Sequence, residues 1–293
     1  SKEAPVTLKL AGQWKIKGVA EAWTETAGDS TLLTVKCVDG KSMEVELEKN
    51  EDRMLFEQAK VLDWKPVFSD SGSDDWKAGW RLDGAFAKIE NSKGGMVFSA
   101  GPEEWNNAHH CVLWTKDSFR GDVRIEYDYT RLDSVNRWVN ILYIQATGKG
   151  GGFASDIMEW ADYRTEPWMK HYFENMKLLH VSYAAYGRDD NGADDDYVRC
   201  RRYPKAVDGD FSKTEIKPDS FRTGLFRTGK TYHITAMKKG DRLFFNVEGE
   251  AGEKLFAWQS PLIGEVAEGR IGLRHMWMKS ARYKNFSISV LGD

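Results

Sequence analysis

The stretch "ITAMKKGDRLFFNVEG", residues 234–249, decides the fold class. Each arm alternates apolar and polar side chains, the period of a half-buried strand, and "KKGDR" supplies a short polar turn between them. The pair reads as a β-hairpin, and its pattern recurs along the chain. Strand-like runs stand at "VTLKLAG", "LLTVKCV", "SMEVELE", "FAKIENS", "GMVFSA", "CVLWT" and "VRIEYDYTRL". They continue at "VNILYIQAT", "LHVSYAAYG", "YVRCRRYP", "GRIGLRHM" and "ARYKNFSISVL", punctuated by Gly, Asp, Asn and Ser. Two stretches look helical: "EDRMLFEQAKVL", and part of "ADYRTEPWMKHYFENMKLL" from Pro167 onward. Many strands with few helices predict an all-β chain, a sandwich or jelly roll.

The chain of 293 residues is long enough for one large β-domain with an accessory piece. The polar run "SDSGSDD" within residues 62–76 suggests a boundary. Residues 1–62 are predicted to form an N-terminal accessory β segment packed on the main domain, and residues 63–293 the sandwich. A net charge of −3 offers no electrostatic footprint for nucleic acid. No apolar run approaches the ~18 residues of a membrane span. Three cysteines without a CxxC pair leave at most one disulfide and a spare thiol. The opening "SKEAPVTLKL" lacks Met and fits either a processed secretory chain or a trimmed one; of the two, a secreted or periplasmic location is the expectation.

Aromatic residues make 13% of the chain, with Trp unusually abundant at 12. Sandwich cores are aromatic, but sugar rings also stack their C–H faces on Trp and Tyr. "YVRCRRYP", residues 197–204, sharpens the question. As a strand it puts Tyr197, Arg199, Arg201 and Tyr203 on one face, and Val198, Cys200 and Arg202 on the other. Neighbouring runs repeat the polar face. "LHVSYAAYG" places His180, Ser182 and Ala184 together, opposite Val181, Tyr183 and Ala185. "VNILYIQATG" sets Tyr143, Gln145 and Thr147 against Leu142, Ile144 and Ala146. "HHCVLWT" groups His110, Val112 and Trp114, and "RIGLRHM" sends Arg270 and Arg274 away from Ile271, Leu273 and His275.

"WKAGWRLDG", "HHCVLWTKDSFRGDVRIEYDY", "LLHVSYAAYG" with "YVRCRRYP", and "GRIGLRHMWMKSARYKNFSI" resemble the YesU-like family, a bacterial domain of unknown function. The resemblance runs over roughly residues 65–290 and implies a concanavalin A-like or galectin-like jelly-roll sandwich. The family is associated with polysaccharide-utilisation genes, and its superfamily contains lectins, glycoside hydrolases and polysaccharide lyases. His110, His180, Tyr183, Arg199 and Arg274 match family positions, whereas His275 does not.

If the polar faces coincide in a concave cleft, an acidic, uronate-containing polysaccharide or oligosaccharide is the expected partner. Arg forks bind carboxylates. A β-elimination lyase needs such neutralisation, a base and an acid. His180, with Tyr183 or Tyr143, supplies the catalytic candidates. His110, Trp114, Gln145, Arg199, Arg201, Arg274 and His275 are the binding candidates. Hydrolysis is the rival chemistry. "ASDIMEW", residues 154–160, resembles the E-x-D-x-x-E strand of laminarinase-type glycosidases, but Ala154 stands where the nucleophile belongs. That leaves Asp156 and Glu159 as an inverting pair, which requires carboxyls ~6.5–9.5 Å apart. A non-catalytic lectin-like module is the alternative to either enzyme. No cofactor is implied. "DDNGADDD", residues 189–196, has the composition of a structural Ca²⁺ loop without EF-hand spacing, because position twelve from Asp189 is Cys200.

Overall fold

The computed structural model describes residues 4–17, 22–27, 30–37, 44–45, 47–188 and 194–292. The chain divides into two compact units, Ser1–Leu62 and Asp63–Asp293. In the first, strands Ala4–Ala11, Ser30–Cys37 and Ala22–Ala27 form an antiparallel sheet, and Trp14–Ile16 pairs with Leu47–Lys49. Thr31 joins the two sheets: its hydroxyl accepts from the Trp14 N–H at 2.8 Å and donates to the Gly12 carbonyl at 3.0 Å. A helix, Asp52–Lys60, closes the unit.

The second unit is a sandwich of two eight-stranded antiparallel sheets. One sheet runs Glu215–Phe221, Asp194–Tyr203, Met176–Arg188, Trp138–Gly148, Glu268–His275, Cys111–Thr115 and Trp80–Asp83, with Phe119–Arg120 added beside Glu268–His275. The other runs Gly252–Gln259, Arg242–Gly249, Thr231–Lys239, Val123–Arg131, Ser280–Leu291, Gly95–Ser99 and Lys88–Ser92, with Trp64–Asp70 added beside Ser280–Leu291. The 234–249 hairpin forms as read. Lys239 faces Arg242, and Gly240 takes a left-handed φ of 56° in the two-residue turn.

Some strands escape the sequence reading for a physical reason. Trp64–Asp70 and Glu215–Phe221 each contain a proline, which forfeits a ladder N–H and is confined to edges. The second helical stretch is shorter than expected, Met169–Asn175.

Two apolar layers result. Between the sheets lie Leu113, Leu142, Leu179, Val181, Val198 and Leu273 from the first sheet, against Ile125, Tyr127, Ile234, Phe245 and Ile288 from the second. A smaller cluster sits on the outer face of the first sheet: Trp114, Ile141, Tyr143, Leu178 and Tyr203 packed under Ile157, Trp160 and Tyr172. The segment Ile157–Asn175 supplies those three residues. Among the described residues, no helix is long and apolar enough to cross a membrane.

Candidate functional site

The outer face of the first sheet gathers most of the residues singled out in the sequence. Alternation carries His110, Trp114, Tyr143, His180, Arg199, Arg201 and Tyr203 to one side, while Cys111, Leu113, Val198 and Cys200 enter the inter-sheet core. Arg274 joins them, paired in register with Val112 and Ile141 on the flanking strands. Gly272 is required here, because a Cβ would lie 2.5 Å from the Trp114 indole that rests flat on the strand.

Three expected members are elsewhere. Tyr183 points between the sheets, fully buried, with its hydroxyl 3.1 Å from that of Tyr283. His275 also faces the core: Nε2 meets the Tyr283 hydroxyl at 2.7 Å, and its ring lies against Phe98. Gln145 leaves the face through a β-bulge, where its φ is 54° and its amide donates to the Phe119 and Gly121 carbonyls. Gly269 fits that bulge, since a Cβ there would sit 2.3 Å from the Gln145 carbonyl carbon. A second bulge at Ala184, φ 44°, exchanges the sides expected for Ala184 and Ala185. Strict period-2 reading fails at each bulge because one inserted residue flips everything after it.

The face is not the open cleft expected from the sequence. The Ile157–Asn175 segment covers it, leaving His180 and His110 only 2% and 1% exposed and Arg274 and Tyr143 fully buried. A buried carboxylate holds the cover down. Asp83 Oδ2 accepts from Arg164 Nε at 2.7 Å, from Trp114 Nε1 at 2.8 Å and from the Tyr172 hydroxyl at 3.1 Å. Arg164 donates further to the Ile157 and Trp160 carbonyls and lies over the Trp160 ring. Trp114, Tyr143 and Tyr172 stack nearly parallel. Asp83, Arg164 and Tyr172 were not singled out in the sequence. Their roles arise from contacts across some eighty residues, which no local pattern encodes.

The arginines then divide. Arg199 bonds Asp219 at 2.7 Å, and Arg201 bonds Glu215 at 2.8 Å, Thr214 at 2.9 Å and the Phe211 carbonyl at 3.0 Å. Lys217 closes the ladder by pairing with both carboxylates at 2.9 Å. Arg274 has no carboxylate within ion-pair distance among the described residues. Its Nη2 donates to His110 Nδ1 at 2.6 Å and to the Pro167 carbonyl at 2.7 Å, and the guanidinium stacks on Tyr172. Among the described residues, its Nε and Nη1, with His110 Nε2, are buried without a partner at hydrogen-bond geometry, though the Tyr143 hydroxyl lies close enough to act on the guanidinium. A cation out of water with neither counter-ion nor full hydrogen bonding is strongly disfavoured.

The neighbouring groups register that charge. Burial and then Arg274 push His110 down to about 2. His180 is driven well below the usual imidazole range by burial, then by Arg201, Arg274 and Arg199. Its ring is held by Tyr203 at 2.7 Å and Ser182 at 2.6 Å. Burial raises the Tyr143 hydroxyl to about 12 even though Arg274 opposes the shift. The face therefore offers neutral imidazoles and protonated phenols around one unanswered cation.

Of the hydrolytic pair, Asp156 is already engaged by Arg270. Asp156 makes a two-pronged ion pair with Arg270 at 2.9 and 3.0 Å and caps the Met158 N–H, which hold its carboxyl low against the opposing effect of burial. Both Asp156 and Glu159 are exposed. Among the described residues no three His, Cys, Asp or Glu side chains converge as metal ligands. Residues 189–193 of the acidic loop lie outside the described residues, and of its remainder Asp196 accepts from the Thr223 hydroxyl. Two open depressions of about 410 and 430 Å³, one beside Trp76 and Arg81 and one beside Lys149 and Lys177, include none of the candidate residues.

Comparison with known proteins follows the fold. The family described as domain of unknown function (DUF1961) matches residues 67–288. No curated protein matches the chain. Among solved structures, a Bacillus subtilis protein of unknown function with a galectin-like fold aligns at TM-score 0.57 and 17% identity, over 78% of this chain and 100% of that one. A Lotus tetragonolobus seed lectin aligns at 0.53 and 10%, over 77% and 99%. The exoplasmic/lumenal domain of VIP36, in a Ca²⁺/Man3GlcNAc-bound form, aligns at 0.51 and 12%, over 78% and 91%. These structural alignments show the fold alone, a galectin- and legume-lectin-like sandwich whose solved examples include carbohydrate binders.

Proposed function

We propose that this chain, which belongs to the DUF1961 family, binds an acidic glycan on the sheet face centred on Arg274 and serves bacterial polysaccharide breakdown outside the cytoplasm. The observation that carries the reading is the buried Arg274 guanidinium, which among the described residues has two nitrogens without a hydrogen-bond partner and no carboxylate partner. A uronate carboxylate supplies what it lacks, a planar two-oxygen acceptor of opposite charge. The lectin-like fold supports a saccharide as the carrier of that carboxylate. Binding requires the Pro167–Tyr172 part of the cover to withdraw, because the Pro167 carbonyl and the Tyr172 ring occupy the approach.

A second reading adds catalysis, and the placement of His180 and Tyr143 favours it, their rings 5.7 Å apart on the same face as Arg274. With the carboxylate neutralised by Arg274, neutral His180 takes the proton from the carbon beside it, once a ring nitrogen gives up its Tyr203 or Ser182 hydroxyl and the bound carboxylate offsets the arginine charges that, after burial, hold its basicity down. The electron pair forms the ring double bond, the bond to the leaving oxygen breaks, and the Tyr143 hydroxyl protonates that oxygen. Hydrolysis by Asp156 and Glu159 has weaker support, given the commitment of Asp156 to Arg270.

The test is a panel of uronate-containing and neutral oligosaccharides, followed by calorimetry, by ultraviolet absorbance of unsaturated uronate and by reducing ends. Salt-sensitive binding confined to acidic members is expected. Absorbance rising together with reducing ends adds the lyase step, while reducing ends alone replace it with hydrolysis. Binding of neutral members only, or of none, contradicts the proposal.

A further inference from the structure

Three tryptophans, two from connecting segments and one from the start of a strand, meet at one end of the sandwich. Trp105 precedes the short turn before the His110 strand, Trp138 opens the Tyr143 strand, and Trp277 follows the Arg274 strand. Their ring centroids lie 4.8 Å apart for Trp105–Trp138, 4.6 Å for Trp138–Trp277 and 5.7 Å for Trp105–Trp277. Trp105 is 72% exposed, the most exposed aromatic side chain of the described residues. An indole in water is ordinarily a loss, and this one is also held in an unusual backbone conformation. Trp105 and Trp138 have φ values of 64° and 66°, the left-handed region that bulky residues avoid. Strain kept at an exposed aromatic, with no burial to compensate, is the pattern of a binding surface. The Trp138 indole N–H is buried and has no acceptor among the described residues.

The group is continuous with the face described above. Trp277 is nearly buried, and its ring lies 4.1 Å from that of His110, whose Nδ1 meets Arg274. Arg137 and Glu104, paired at 3.2 Å, provide polar groups at the rim. We propose that Trp105, exposed and braced edge-to-face against Trp138 at an interplanar angle of 85°, forms an aromatic platform for the pyranose ring next in chain to the acidic sugar held at Arg274. The electron-rich indole faces attract the partly positive C–H hydrogens on one side of a sugar ring. The inference rests on the acidic-glycan reading and adds to it a second subsite and a minimum ligand length. Arg274 selects for charge, and the platform selects for a neighbouring ring.

The experiment is calorimetric titration of the full chain with uronate oligosaccharides of one to four units, comparing wild type with Trp105→Ala, Trp105→Phe and Arg274→Met. Trp105 is exposed, so its replacement leaves the fold intact, as circular dichroism would verify. The expected result is affinity that rises with length in wild type. Trp105→Ala should lower the affinity of the longer ligands about ten-fold, the scale of one stacked ring, and leave the monomer unchanged. Trp105→Phe should restore most of the loss. Equal binding of long ligands by wild type and Trp105→Ala, with Arg274→Met still abolishing binding, overturns the platform alone. Binding that survives Arg274→Met overturns the parent reading instead. A concentration-dependent dimer that disappears in Trp105→Ala would assign the platform to a second copy of the chain and also overturn the proposal.

Discussion

Arg201 and Arg274 project from the same face of the same sheet, and both are buried, yet their surroundings are opposite. Arg201 is answered by Glu215, Thr214 and the Phe211 carbonyl, and its neighbour Arg199 by Asp219. Arg274 is answered by a neutral imidazole, one carbonyl and the neighbouring Tyr143 hydroxyl, none of them a counter-ion. A satisfied buried ion pair explains itself as structure. An unsatisfied buried cation persists only where something outweighs its instability, and binding an anion is such a reason. The two arginines looked equivalent in the sequence. What separates them is their partners, which come from distant parts of the chain.

The comparison can be broken most forcefully at Asp83. Replacing it with Ala makes Arg164 a second unanswered cation and strips acceptors from Trp114 and Tyr172. Loss of a buried partner of this kind costs about 3–5 kcal/mol, read as a lower urea midpoint. Arg201→Met should be milder, about 1–2 kcal/mol, because Glu215 is partly exposed and keeps Lys217 at 2.9 Å and Arg199 at 3.6 Å. Acidic-glycan binding should stay within about two-fold, since the charge removed was already neutralised. An Arg201→Met protein that folds normally but no longer binds would erase the distinction.

Acid offers a third test. His110 is held down to about 2 and His275 to about 3, in both cases first by burial, while an unfolded imidazole titrates near 6.5. The unfolded chain therefore takes up protons that the native state refuses. Stability is intact above about pH 6.5 and falls as the pH drops below it, by on the order of 2 kcal/mol per histidine at pH 5. Denaturation midpoints between pH 7 and 5 check the slope. Removing Arg274 should soften it, because that charge is the second cause of the His110 shift.

Much of this was legible in the residues. The run 197–203 alternates without interruption, so Tyr197, Arg199, Arg201 and Tyr203 share a face as read. His110, Trp114, Tyr143, His180 and Arg274 reach the same face for the same reason. Legibility stops at two places. Bulges at Gln145 and Ala184 carry no sequence mark strong enough to reset the alternation, and Gln145 is lost to the site in consequence. The cover is the other. "ADYRTEPWMKHYFENMKLL" gives a helix signal, but that Arg164 and Tyr172 meet Asp83 depends on tertiary placement. Tyr183 and His275 went to the core because they fall on the inward side of their strands, where a hydroxyl–hydroxyl–imidazole chain through Tyr283 satisfies them.

The most direct measurement is Arg274→Met, followed in parallel by urea denaturation and by titration with an acidic oligosaccharide that the wild type binds. Met fills the space without the charge, so the expected result is a midpoint equal to or above that of the wild type, with binding lost. A midpoint that falls as far as that of Arg201→Met, or binding that persists, would contradict the assignment of Arg274 to a ligand.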